Sequence, residues 1–154
     1  MGFDYSRAGA YFVTVTVDDQ RHRFRDVVNE LMVPNRAGEI VESCWLRLPA
    51  RFSTLELDEF VVMPNHFHAI VILGESGERD VPSLSPVMQV FKSESTIAYG
   101  RGVKEGNFPP YERALWHRSF HDRIIRIADH LNLARDYVQD NPRRWHEAHL
   151  GIVG

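Results

Sequence analysis

The sequence predicts an α+β fold in which helices pack mainly on one face of an antiparallel sheet. Three observations lead there. Stretches with apolar residues at every second position interleave with stretches at helical spacing, in the order β–α–β–β–α–β–α. Two of the strand-like stretches are joined by one tight turn, which makes them antiparallel neighbours. At 154 residues, with 44% hydrophobic and 25% charged residues, the chain suits a single domain over 1–154 with one sizeable core.

The first strand is "YFVTVTV" (11–17): Tyr11, Val13, Val15 and Val17 face one way, and Phe12, Thr14 and Thr16 the other. In "NRAGEIVESCWLRLPARF", Ile40, Val41, Cys44, Trp45 and Leu48 recur at helical spacing and Pro49 closes the helix. "LELDEFVVMPNHFHAIVIL" (55–73) reads as two strands around a turn at Met63-Pro64-Asn65. A polar loop, "GESGERDVP", separates it from a helix with Ser85 as N-cap, Pro86 at its first position and Gly100 as terminator. Leu84, Val87, Met88, Phe91 and Ala98 line one face of that helix. Residues 101–115 then form a loop able to move. "SFHDRIIRI" (119–127) is a strand, and "ADHLNLARDYVQDNP" a last helix with Leu131, Leu133, Ala134 and Val138 inward, ended near Pro142.

Composition excludes several classes. No apolar run approaches the ~20 residues that span a bilayer. The opening "MGFDYSRAGAYF" lacks the basic-then-apolar order of a signal peptide. Cys44 is the only cysteine, so disulfide frameworks and cysteine-based zinc sites are out, and its apolar stripe makes it a buried structural thiol. A cytoplasmic protein is expected, nucleoid-associated in a bacterium. The net charge of −3 argues mildly against a nucleic-acid partner, but residues 101–154 hold 9 Lys/Arg against 7 Asp/Glu and five of the eight histidines. The basic end is the last third.

In a strand, residues two apart share a face, so His66 and His68 project side by side while Phe67 points to the opposite layer. Two neutral imidazoles so placed suit a divalent metal. Taken alone, His-x-His equally describes two hydrogen-bonded histidines entering a strand, and that is the more ordinary reading. A third histidine at the next alternate position, as a histidine-triad hydrolase needs, is absent, because Ile70 stands there. A hard ion such as Mg²⁺ or Mn²⁺ would take oxygen ligands instead. On the last helix Tyr137 and Asn141 stand one turn apart, offering a phenol and an amide oxygen. A phenol becomes a good nucleophile once it loses its proton and its target phosphate is polarised.

These segments resemble a known family. "LDEFVVMPNHFHAIVIL", "VFKSEST", "LWHRSFHDRIIRI" and "ARDYVQDNPRRW" occur in the order seen in single-strand DNA transposases of the HUH type. The similarity is greatest to the REP-associated tyrosine transposases and their insertion-sequence relatives, and runs from about Tyr11 to Trp145. It implies a ferredoxin-like (RRM-like) sandwich, with His66, His68 and Asn141 as ligands of Mg²⁺ or Mn²⁺ and Tyr137 as nucleophile. The implied reaction is cleavage and rejoining of hairpin-bearing single-stranded DNA through a 5′-phosphotyrosine link. Relatives work as monomers or homodimers. Arg118, Arg123, Arg126, Arg143, Arg144 and Lys92 are candidates for contact with the DNA backbone. Trp116 and Trp145 could stack on unpaired bases, although core packing is the more ordinary role. Two other functions fit parts of the pattern: a non-catalytic nucleic-acid-binding module on an RRM-like sheet, and a metal-dependent phosphoesterase that uses water.

Overall fold

An unbroken run of aromatic and β-branched residues, Tyr11 to Thr16, builds the central strand, β1 (Gly9–Thr16). The computed structural model describes residues 9–28, 31–74, 84–125 and 131–140 of the chain. After β1 come a short hairpin, β2 (Arg25–Val28) with β3 (Leu31–Pro34), and a helix, α1 (Arg36–Leu46). The strands β4 (Leu55–Val62) and β5 (His66–Leu73), the helix α2 (Leu84–Lys104) and the strand β6 (His121–Ile125) follow. A last described helix, α3, occupies 131–140. The four long-range strands form one sheet in the order β4-β5-β1-β6, with every neighbouring pair antiparallel. With α1 and α2 between the strands, this βαββαβ arrangement is the ferredoxin-like sandwich that the family resemblance implied.

The two faces of β1 do different work. Val13 and Val15 join Phe67, Ala69 and Val71 of β5 in a core beneath α1 and α2. The rings of Trp45 and Phe91 lie 4.8 and 5.0 Å from that of Phe67, which is fully buried. The other face carries Ala10, Phe12, Ile70 and Ile72, and α3 covers it with Leu131, Ala134 and Val138. Helices therefore sit mainly on one face, and the exception is the one that brings Tyr137 to the histidine strand.

Several expectations change. The β2–β3 hairpin was not anticipated. At roughly 100° per residue, Leu131, Ala134 and Val138 share a stripe while Leu133 falls on the far side, and Leu133 is accordingly 66% exposed. α2 starts at Leu84, with Ser85 and Pro86 inside its first turn, and it runs through Gly100 to Lys104. Its terminator is Gly106, in the left-handed region at φ +80°. There the amide of Asn107 donates to the Gly102 carbonyl at 2.8 Å, and that of Gly106 donates to Val103 at 3.0 Å. The segment beyond is pinned rather than loose. The buried Arg23 donates to the carbonyls of Pro109 (3.1 Å) and Pro110 (3.3 Å), and the Tyr99 hydroxyl donates to Pro109 (2.8 Å). Trp116 is a core residue whose indole N–H donates to Ser95 Oγ at 2.8 Å, so it is unavailable for base stacking. Trp145 lies outside the described residues. Cys44 is buried, as its apolar stripe required. Among the described residues no helix is long and apolar enough to cross a membrane.

Candidate active site

The β4–β5 turn fixes where the histidines stand. The Met63 amide donates to the His66 carbonyl at 2.8 Å, closing the hairpin. The Pro64 carbonyl accepts from Arg23 (2.7 Å) and Phe24 (3.1 Å), and the Asn65 carbonyl accepts from Val17 (2.9 Å). These backbone bonds tie the start of β5 to the end of β1, so that Thr16 pairs with His66 and Thr14 with His68. With Phe67 locked in the core, both imidazoles must emerge on the α3 face.

Their ring centroids are 4.5 Å apart, edge to face. Each Nδ1 is engaged: His66 with Asn65 Oδ1 at 2.8 Å, and His68 with the Thr14 hydroxyl at 2.9 Å. The Asn65 amide nitrogen donates to the Gln20 carbonyl at 3.4 Å, which turns its oxygen to the imidazole. Nδ1 of His66 then carries the hydrogen and Nε2 the lone pair, the form that binds a metal. Burial, reinforced by neighbouring His66, lowers the pKa of His68 from 6.5 to about 3. The imidazole is thus neutral throughout the physiological range, as a ligand must be.

Tyr137 arrives from α3. Its ring lies 5.8 Å from that of His68 and 5.9 Å from that of Phe12, both edge to face, and the residue is 40% exposed. Phe12 also packs 5.4 Å from His68, so the phenol, the imidazole and the phenyl ring form one aromatic corner. The corner opens into a cleft of about 460 Å³ lined by Phe12, Thr14, His68, His121, Asp122 and Tyr137. Larger depressions of about 650 and 580 Å³ surround the Asp18–Arg113 ion pair, but neither contains the paired imidazoles or Tyr137.

Sequence reasoning missed Thr14, Asn65, His121 and Asp122. The first two are legible only once register is known. His121 pairs with Thr14 from the other side, which places it in the same cross-strand row as His68. No spacing in the sequence reveals that row.

The remaining candidates fall in different places. Lys92 donates to the carbonyls of His117 (2.7 Å) and Arg118 (3.0 Å), so its ammonium organises the segment that leads into β6. That segment is tied to the site end of the sheet, because the His117 amide donates to Thr16 at 2.7 Å. Arg118 is exposed there. Arg123 lies in β6, in register with Phe12. Arg126, Asn141, Arg143 and Arg144 lie outside the described residues.

The chemistry of the donors fits one side of a divalent ion. Two neutral imidazoles side by side provide two nitrogen ligands, and an amide or phosphate oxygen would complete a mixed set. Among the described residues no group of three or more His, Cys, Asp or Glu is placed to hold a metal.

Comparison with known proteins agrees with this architecture. No family model matches the chain. A Haemophilus influenzae protein described as uncharacterized is 27% identical over 160 residues, covering 97% of this chain and 89% of its own length. Among solved structures, a REP-associated tyrosine transposase bound to a REP hairpin superposes with a TM-score of 0.65 at 20% identity. The match covers 94% of this chain and 72% of that one. A provisionally assigned transposase from Deinococcus radiodurans gives a TM-score of 0.57 at 15% identity over 92% and 96% of the two chains. The chain shares the fold of these two proteins.

Proposed function

We propose that this protein is a metal-dependent single-stranded DNA endonuclease and strand transferase of the REP-associated tyrosine transposase type, acting through a 5′-phosphotyrosine link at Tyr137. The observation that carries the proposal is the meeting of Tyr137 with His68, at 5.8 Å between ring centroids, in an open cleft beside a second histidine. Binding alone requires no such set. The fold shared with a transposase bound to a REP hairpin supports hairpin-bearing DNA as the substrate class.

His66, His68 and Asn141 would hold Mg²⁺ or Mn²⁺, which supplies charge neutralisation at the scissile phosphate. The chain's own residues do the rest. The Tyr137 oxygen attacks phosphorus; the Tyr–O–P bond forms as the P–O3′ bond breaks. The phenolic proton passes to solvent, and the departing 3′ oxygen takes one up, so protons balance. The new ester retains the phosphodiester's bond energy, so a 3′-hydroxyl can later displace Tyr137 and rejoin strands without a nucleotide cofactor. Burial keeps His68 neutral, and Phe12 packs edge to face against the Tyr137 ring. Arg118, Arg123, Arg126, Arg143 and Arg144 are assigned to the DNA backbone, with Lys92 supporting the Arg118 segment. The reading takes 1–154 as a single cytoplasmic or nucleoid-associated domain acting as monomer or homodimer.

The test mixes purified protein, Mn²⁺ and single-stranded hairpins from palindromic DNA flanking its gene, followed by denaturing electrophoresis. A covalent adduct is expected that disappears with chelator and with Tyr137→Phe. Cleavage without adduct would establish a phosphoesterase that uses water. Binding indifferent to both chelator and Tyr137→Phe would establish a non-catalytic binding module.

A further inference from the structure

α3 rests on the sheet through Leu131, Ala134 and Val138, which pack on Ala10, Phe12, Ile70 and Ile72. Apolar burial of this kind is non-directional and does not by itself specify the rotation of the helix. On the side of that stripe opposite Tyr137, the helix makes a directional contact with the sheet. Arg135 Nε donates to Asp58 Oδ1 at 2.8 Å, and its Nη2 donates to Asp58 Oδ2 at 2.6 Å. The fork is two-pronged and partly buried, with the Asp58 side chain 13% exposed.

Asp58 is itself fixed by an irregularity in β4. Leu57 pairs with Val71 and Phe60 with Ala69, so β4 carries one residue more than β5 across this interval. Within the bulge the Glu59 amide donates to Asp58 Oδ1 at 2.8 Å. The carboxylate thereby receives three donors, two from the helix and one from the strand it stands on. On α3, Arg135 and Tyr137 are two residues apart, about 200° around the axis. They flank the buried stripe, Arg135 toward edge strand β4 and Tyr137 over β5 and β1, where its ring meets His68 and Phe12.

We propose that Asp58 and Arg135 are positioning residues for Tyr137: the fork at the β4 bulge sets the rotation of α3 and so aims the phenol at the His66–His68 corner. Helix side chains reach roughly 5–6 Å from the axis, so a roll of about 20° displaces the ring by about 2 Å. A misplacement of about 1 Å at a reacting group is enough to cost ~100-fold in rate. Neither residue touches the reacting atoms. The inference rests on Tyr137 being the nucleophile.

The experiment measures single-turnover adduct formation, DNA affinity and Mn²⁺ affinity for the wild-type protein, Asp58→Asn, Arg135→Lys and the double variant. Each single variant is expected to form adduct about 100-fold more slowly, with both affinities within about twofold of wild type. Arg135→Lys keeps the charge and loses the fork, so it should not rescue. The double variant should be no slower than the slower single. Adduct rates within twofold of wild type overturn the proposal, as do losses that multiply in the double variant or that follow DNA affinity. Should either single variant fail to fold, the other carries the same test. If the wild-type protein forms no adduct, the functional reading fails and the positioning role is still decided by NMR. Cross-relaxation between the Tyr137 and His68 rings should vanish in the folded Asp58→Asn and Arg135→Lys variants, and its persistence in both overturns the role.

Discussion

The Thr14 hydroxyl lies 2.9 Å from Nδ1 of His68, linking the central strand to the histidine strand at the row that also holds His121. A metal on Nε2 of His68 requires the hydrogen on Nδ1, and Thr14 Oγ1 is its acceptor. Outer partners of this kind set the tautomer and orientation of a ligand, and their loss typically lowers metal affinity by about 10–100-fold. Thr14→Val preserves the shape and removes the acceptor. Mn²⁺ titration followed by electron paramagnetic resonance should show a fall in that range with the melting temperature nearly unchanged. Wild-type affinity in the variant would refute the assigned tautomer.

His68 also gives the metal-free protein a characteristic acid sensitivity. The groups around it are His66 on its own strand, Thr14, His121 and Asp122 across the sheet, and Tyr137 on α3. Its folded pKa, about 3, lies below its unfolded value of 6.5, so the unfolded chain binds the proton first. The stability associated with neutral His68 is complete above pH 6.5 and is lost progressively as pH falls toward 3. Between pH 7 and pH 5 the linkage amounts to about 2 kcal/mol. Chemical denaturation in chelator should record that loss in the wild-type protein, and His68→Gln should reduce the slope by the same amount. Parallel pH profiles for the two would contradict the buried neutral state.

The placement of the candidate site's histidine pair was legible because it follows from periodicity. His66 and His68 share a face because strands repeat every two residues, and Phe67 is in the core for the same reason. The aromatic and β-branched residues of 11–17 divide as alternation requires. What remained hidden depends on register and on three-dimensional approach. His121 enters the cleft because it pairs with Thr14, and Asp58 meets Arg135 only because β4 bulges. Leu133 was assigned inward on hydrophobicity against its helical angle, and the angle decided. Asn141, expected as a ligand, lies outside the described residues.

Arg118 and Lys92 were both assigned to DNA on charge, and their surroundings separate them. Arg118 is exposed at the site end of the sheet, whereas the Lys92 ammonium is spent on the carbonyls of His117 and Arg118. Arg118→Ala should leave folding intact and reduce the slope of log affinity for single-stranded DNA against log salt by about 0.7, the share of one phosphate contact. Lys92→Met should instead destabilise the protein by about 0.5–1 kcal/mol, because two exposed carbonyls exchange their charged donor for water. Fluorescence anisotropy across a salt series, with urea unfolding alongside, distinguishes the two. An unchanged salt slope in Arg118→Ala would remove it from the DNA surface.

Three glycines near the end of α2 look alike in the sequence and should respond differently to alanine. A Cβ on Gly100 would meet nothing within 4 Å, so Gly100→Ala should stabilise the helix by about 0.5–1 kcal/mol through propensity and a less flexible unfolded chain. At Gly102 an added Cβ would collide with the Phe108 ring, which stacks on Tyr99 at 5.0 Å between centroids. Gly102→Ala must displace that ring and with it the packing beside the Tyr99–Pro109 hydrogen bond, so it should destabilise despite the better helix former. Gly106 has open space but a φ of +80°, and alanine there should cost about 1 kcal/mol by backbone strain alone. Urea denaturation of the three variants should therefore give a gain at position 100 and losses at 102 and 106. A gain at 106 would mean that the helix does not end in the left-handed turn that starts the pinned segment.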